Sequence, residues 1–225
     1  MDGSRTTRGR RTVASEAAIR YSLGTMSENY PADDANRAIR ATVSVGVFAA
    51  LIIAGSYIVV PLPFSPVPIA LQSFFVLLAG LVLGPKWGAF TVFLYLSMGA
   101  VGLPVFAGGQ GGPAHFLRPT AGYLVGYLPA VALAGAVAAI GRRASRKKQR
   151  ALDALGAALG SLVIYAVGAP VLSRVTGMSM SAALAAGIVP FLPGDLIKVL
   201  VAATFADRLR RRFAGPDAAP SNNDA

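Results

Sequence analysis

Asp195 and Lys198 stand three residues apart in Pro193-Gly194-Asp195-Leu196-Ile197-Lys198, inside an otherwise apolar stretch. On a helix that spacing puts both side chains on one face. An ionisable group at mid-bilayer costs roughly 2.5–3.5 kcal/mol, so two of them require a use. The residue types allow three: recognition of a polar ligand, proton relay through the carboxylate, or a structural ion pair. Pro190 and Pro193 precede the pair and should break or bend the helix, freeing backbone groups for ligand contact. Covalent chemistry is poorly served. The chain has no cysteine and a single histidine, His115. It has one mid-span carboxylate and so lacks a paired general acid and base. A metal site is not expected. No segment reads Gly-x4-Gly-Lys-Ser/Thr, so the chain is not itself an ATPase.

The elements that hold this pair must be membrane-spanning. Of 225 residues 54% are hydrophobic and 14% charged, with a mean hydropathy of +0.58; a soluble domain carries about 25% charged residues. Six apolar spans are read at Val43–Val60, Ile69–Gly84, Trp87–Leu103, Thr120–Gly141, Ala151–Ser173 and Ser181–Ala206. Each approaches the ~20 residues a helix needs to cross ~30 Å of hydrocarbon, the second and third being short. Lipid offers the backbone no hydrogen-bond partner, so the spans must be helical. With the N-terminus inside, 18 of the 21 Lys and Arg fall in cytoplasmic segments, and only Arg118, Arg174 and Lys198 do not. This asymmetry predicts an all-α integral membrane protein, a six-transmembrane-helix bundle with N- and C-termini cytoplasmic. The net charge of +11 then marks topology and anionic-lipid contact rather than nucleic acid.

Residues 1–40 are polar and Arg-rich without an apolar signal core, and are expected to be a disordered tail with Met26 as a possible start. The membrane domain is expected over residues 41–212 and a second disordered tail over 213–225. Two outer loops stand out. Pro61-Leu62-Pro63-Phe64-Ser65-Pro66-Val67-Pro68 is too proline-rich for a helix. Gly108-Gly109-Gln110-Gly111-Gly112-Pro113 is flexible or tightly turned. Apolar residues flank the glycine loop, which suggests a lid folded over an outward-facing pocket. In the first span Gly46, Ala50 and Ala54 recur every four residues, a stripe suited to close helix approach, inside the bundle or against a partner. Gly156 and Gly160 repeat the spacing in the fifth span. Asp153 is expected at the inner start of that span, where a helix N-terminus favours an anion. Gln72 is expected to hydrogen-bond another helix. His115 and Arg174 are read as loop residues.

Five motifs occur in order: Pro66-Val67-Pro68-Ile69-Ala70-Leu71-Gln72 with Leu77-Leu78-Ala79-Gly80; Leu83-Gly84-Pro85-Lys86; Gly102-Leu103-Pro104-Val105-Phe106-Ala107-Gly108-Gly109; Pro119-Thr120-Ala121-Gly122-Tyr123; and Pro193 to Lys198. This series resembles the BioY family of biotin-uptake proteins, the substrate-binding S components of energy-coupling-factor (ECF) transporters, over about Ala41 to Arg212. The resemblance implies a multi-pass cell-membrane protein that binds biotin from outside and delivers it to the cytoplasm. It implies an ECF transmembrane coupling subunit and two cytoplasmic ATPases as partners, no catalytic residue and no cofactor, biotin being the transported substrate. Asp195 would accept the ureido N–H groups. Lys198 would donate to the ureido oxygen or pair with the carboxylate. Gln110 stands where relatives can carry a ligand-contacting Asn, and Tyr123 would offer a hydroxyl or ring face. Some relatives carry Arg directly after the residue matching Tyr123, where this chain has Leu124; conversely, Arg118 stands where Gly is usual. Arg118 is therefore a second candidate for the carboxylate. Gly46, Ala50 and Ala54 would face the coupling subunit. The rival readings are an S component for another vitamin, or a proton-coupled small-molecule transporter using Asp195. No internal repeat of the kind secondary transporters show is evident.

Overall fold

A computed structural model of the chain describes residues 32–142 and 144–213. The expected tails fall largely on residues 1–31 and 214–225, outside the described residues. Helix α1 runs Ala32–Tyr57 and is followed by the strands β1, Val59–Leu62, and β2, Ser65–Ala70. Then come α2, Gln72–Ala100; a short 3-10 turn, Pro113–Leu117; α3, Ala121–Ile140; and α4, Arg146–Thr176. Helix α5, Met180–Gly187, a 3-10 turn Val189–Phe191, and α6, Leu192–Phe213, complete the order. The described residues from Arg40 onward form one compact unit, to which every feature below belongs.

By length and composition five helices can cross a membrane, with α5 and α6 taken together as one span and α2 counted once. Yet α2 is interrupted at Gly84, whose φ of 85° and ψ of 178° are open only to glycine, and Pro85 follows. A Cβ built on Gly88 would stand 3.0 Å from the Gly80 Cα. In a straight helix eight residues are about 12 Å apart. The two arms of α2, residues 72–83 and 85–100, therefore fold back on each other as a helical hairpin. This is where the sequence placed its short second and third spans.

Small residues let the helices touch. A Cβ on Gly80 would meet the Val131 carbonyl oxygen at 2.5 Å, and one on Gly135 the Pro85 nitrogen at 2.6 Å. Gly156 and Gly160 pack in the same way, against the Ala134 and Ala130 carbonyl oxygens of α3. This is the close backbone approach that membrane bundles use in place of a hydrophobic driving force. Gly46, Ala50 and Ala54 behave differently. All three are exposed, and nothing lies within 4 Å of a Cβ on Gly46. Large apolar side chains such as Val47, Phe90, Phe93, Leu162, Leu196 and Leu200 also face outward, as a lipid-facing surface requires.

The proline-rich loop forms an antiparallel hairpin, with Val59 opposite Ala70, Val60 opposite Ile69 and Leu62 opposite Ser65. Its register shifts between Val60 and Leu62, around Pro61, since proline offers no ladder donor. The glycine loop is tightly turned. Phe106 and Gln110 form a single bridge, while Gly108, Gly109 and Gly112 take positive φ. Asp153 is not at a helix start, because α4 begins two turns earlier at Arg146. It is fully buried and pairs with Arg210 of α6 at 2.7 Å. Arg210 also donates to the Leu81 carbonyl oxygen, from Nε at 3.2 Å and from a terminal nitrogen at 3.0 Å. Gln149 donates to Asp153 at 2.8 Å. This network ties α6 and α4 to the first arm of α2.

Candidate functional site

One cavity collects polar residues from several elements. It holds about 660 Å³ of empty space, its open mouth included. Its walls come from β2, the start of α2, the glycine loop, α3, α4 and the start of α6. Asp195 lies in the first turn of α6, just beyond the break made by Ile188 to Phe191. The two prolines thus place the charged pair at a fresh helix start rather than mid-helix, and both residues line the cavity.

The pair is held by more than its own attraction. Lys198 Nζ sits 3.2 Å from Asp195 Oδ1. It also donates to the Ala70 carbonyl oxygen at 3.2 Å and to Ser73 Oγ at 3.0 Å. Its three donors thus have three protein partners. The Tyr165 hydroxyl donates to Asp195 Oδ2. The side chains of Lys198 and Asp195 keep 13% and 17% exposure, so the carboxylate remains within reach of a ligand. The Tyr123 hydroxyl donates to the Gly187 carbonyl oxygen at 3.1 Å, bracing the end of α5. Gln72 donates to the Tyr127 hydroxyl at 2.8 Å and accepts from Tyr95 at 3.3 Å. It therefore links helices, as expected, while also lining the cavity.

Of the five residues expected to contact ligand, the structure brings Asp195, Lys198 and Tyr123 onto one cavity. Gln110 and Arg118 are exposed and outside the lining, and the Arg118 guanidinium donates to the Gln110 side-chain oxygen. Their loop still contributes Ala107, His115 and Thr120 to the wall. His115 is not a free loop residue but is buried, against the Phe106 ring at 4.9 Å between centroids. Burial pulls its imidazole pKa below the ordinary range, and the nearby Arg118 charge adds to the shift. Sequence reading also missed Ser73, Tyr127, Ser161 and Tyr165. The signal was present for three of these. Ser161 and Tyr165, and likewise Tyr123 and Tyr127, are four apart on otherwise apolar helices, which aligns each pair on one face.

A cavity with apolar walls, a carboxylate braced by a phenol and a lysine, and a buried amide and imidazole suits a small ligand with both polar and apolar parts. A sequence model of the BioY family matches residues 26–215. The chain belongs to the BioY family. It is 41% identical to the biotin transporter BioY of Thermotoga maritima, over 77% of this chain and 97% of that protein. It is 43% identical to the biotin transporter BioY of Rhodobacter capsulatus, over 70% of this chain and 86% of that one. Among solved structures it is similar to the S-component for biotin from an ECF-type ABC transporter. That match has a TM-score of 0.69 and 31% identity, covering 78% of this chain and 93% of the other. Membership makes this a membrane-embedded transporter protein, and the match at that identity supports the described fold.

Proposed function

We propose that this chain captures biotin at the outer face of the cell membrane and delivers it to the cytoplasm as the S component of an ECF transporter. The observation that carries the reading is the cavity around Asp195, seen together with membership of a transporter family. The protein makes and breaks no covalent bond; ATP hydrolysis by partner subunits drives the transport step. Biotin has an apolar ring and chain, a ureido group that donates and accepts, and a carboxylate. Asp195, oriented by Tyr165, accepts from the ureido N–H groups. Lys198, held beside it, donates to the ureido oxygen by sharing one of its three bonds. Tyr123 supplies ring surface at the wall. Gln110 and Arg118 act through the glycine loop, which their mutual bond shapes.

In this reading the chain has six transmembrane helices, α2 counting as two, and both termini in the cytoplasm. Residues 41–212 form the binding domain. The exposed stripe Gly46, Ala50 and Ala54 is the face offered to a transmembrane coupling subunit, which two cytoplasmic ATPases energise. Its exposure fits this role, since the small residues of the internal crossings are covered while these are not. Uptake of labelled biotin in cells with an active or an ATPase-dead coupling module tests the reading. Uptake should require the active module. Uptake that ignores the module and collapses with a protonophore would assign Asp195 to proton coupling instead.

A further inference from the structure

With Lys198 shared with the ureido oxygen, recognition of the carboxylate at the other end of the ligand needs a different donor. Lys198 is committed to Asp195, Ala70 and Ser73, and Arg118 is exposed and bound to Gln110. Among the described residues, four buried side-chain polar atoms have no protein partner. Three of them, on Arg142, Gln149 and Asp153, belong to residues outside the cavity lining. The fourth is His115 Nδ1. His115 lines the cavity, with only 6% of its surface exposed, and its Nε2 lies 3.4 Å from Thr120 Oγ1. A threonine hydroxyl that donates to Nε2 leaves Nδ1 carrying the proton. A buried donor left unmatched costs stability, and a ligand acceptor would recover that cost.

We propose that His115 is the carboxylate-recognition residue of this cavity, donating an imidazole N–H to the acid end of the ligand. The inference rests on the biotin reading above and deepens it. The ureido end goes to Asp195, Tyr165 and Lys198, and the acid end to the loop side, where His115 and Thr120 stand. The Phe106 ring lies against the imidazole, tilted 37° to it.

A pH dependence follows. In the empty cavity burial and Arg118 hold the imidazole pKa down, so it is neutral near pH 7. A bound carboxylate favours the charged form and raises that pKa in the complex. Binding then takes up a proton. Affinity for biotin rises as pH falls through the pKa of the complex and levels off below that of the free site. Arg118 lies nearby on the same loop, while Tyr123 and Tyr127 of α3, Tyr165 of α4, and Asp195 and Lys198 of α6 share the cavity wall. All of these remain when His115 alone is changed, so the difference between the pH profiles belongs to His115.

The test is calorimetric titration of the full chain in detergent with biotin and with biotin amide, between pH 6 and pH 8. Wild type, His115→Phe and His115→Gln are compared. Wild type should bind biotin more tightly at pH 6 than at pH 8 and show no such slope with the amide. His115→Phe should bind biotin roughly tenfold more weakly at pH 6, with a flat profile. His115→Gln keeps a donor but cannot titrate; it should retain more affinity than His115→Phe and also lose the slope. If the Phe variant does not fold, the Gln variant carries the test alone. An unchanged slope and an unchanged preference for biotin over its amide in either variant would overturn the inference. If biotin binds in an Asp195-dependent way but ignores His115, only this inference fails. If wild type binds no biotin at either pH, the parent reading fails with it.

Discussion

Asp195 holds its place because three other residues give a half-buried carboxylate a set of partners. Tyr165 donates to one oxygen, and Lys198, steadied by Ser73, faces the other. Removing one member of a desolvated pair leaves the other uncompensated. Asp195→Asn also removes the charged acceptor offered to the ureido N–H groups and should weaken biotin binding roughly 100-fold, on the scale of about 3 kcal/mol for hydrogen bonds to a charged group, while membrane insertion is kept. Tyr165→Phe removes a single bond to a charged group and should cost roughly tenfold; both are read by titration of purified protein. Arg118→Ala should change affinity less than Tyr165→Phe, because its guanidinium lies outside the cavity on Gln110. At this scale the sequence was partly legible. Asp195 and Lys198 announced themselves because charge is expensive in a span. Tyr165 was marked only by its spacing from Ser161, and nothing local tied it to a partner thirty residues away. His115 was hidden for another reason: its Gly- and Pro-rich neighbourhood reads as an exposed loop, while the fold turns the ring inward.

Among the elements, glycine separates two kinds of helix surface. Gly80, Gly135, Gly156 and Gly160 are covered by backbone of another helix, whereas Gly46 is open. Gly135→Leu should force α3 away from the α2 hairpin, at a cost of about 1–3 kcal/mol or more, typical of overpacking, seen as a lower thermal midpoint. Gly46→Leu should leave that midpoint and biotin affinity unchanged and yet abolish uptake, if α1 is the coupling face. Spacing could not separate the two stripes, because small residues four apart look the same whether covered or bare. What lies opposite them is a property of the assembled bundle. The Pro190 and Pro193 break was legible, since proline acts locally. So was the Gly84-Pro85 turn, which ends one apolar span and begins the next. The Asp153–Arg210 pair was not, because its members lie on helices far apart in the chain.

For the whole molecule, the charge asymmetry predicts which ends face the cytoplasm. The chain has no cysteine, so single introduced thiols report topology cleanly. Ser145→Cys, between α3 and α4, should react with an impermeant maleimide only after the membrane is opened. Ser179→Cys, before α5, should react from outside. The reverse pattern would invert the bundle and the direction of capture. The central claim is narrower still: the cavity around Asp195 holds biotin. It is tested most directly by purifying the wild-type chain and Asp195→Asn from cells grown with biotin and identifying the bound small molecule by mass spectrometry. Biotin should accompany the wild type and be absent from the variant. Thiamine, riboflavin or another ligand in the wild type, or biotin retained equally by Asp195→Asn, would contradict the account.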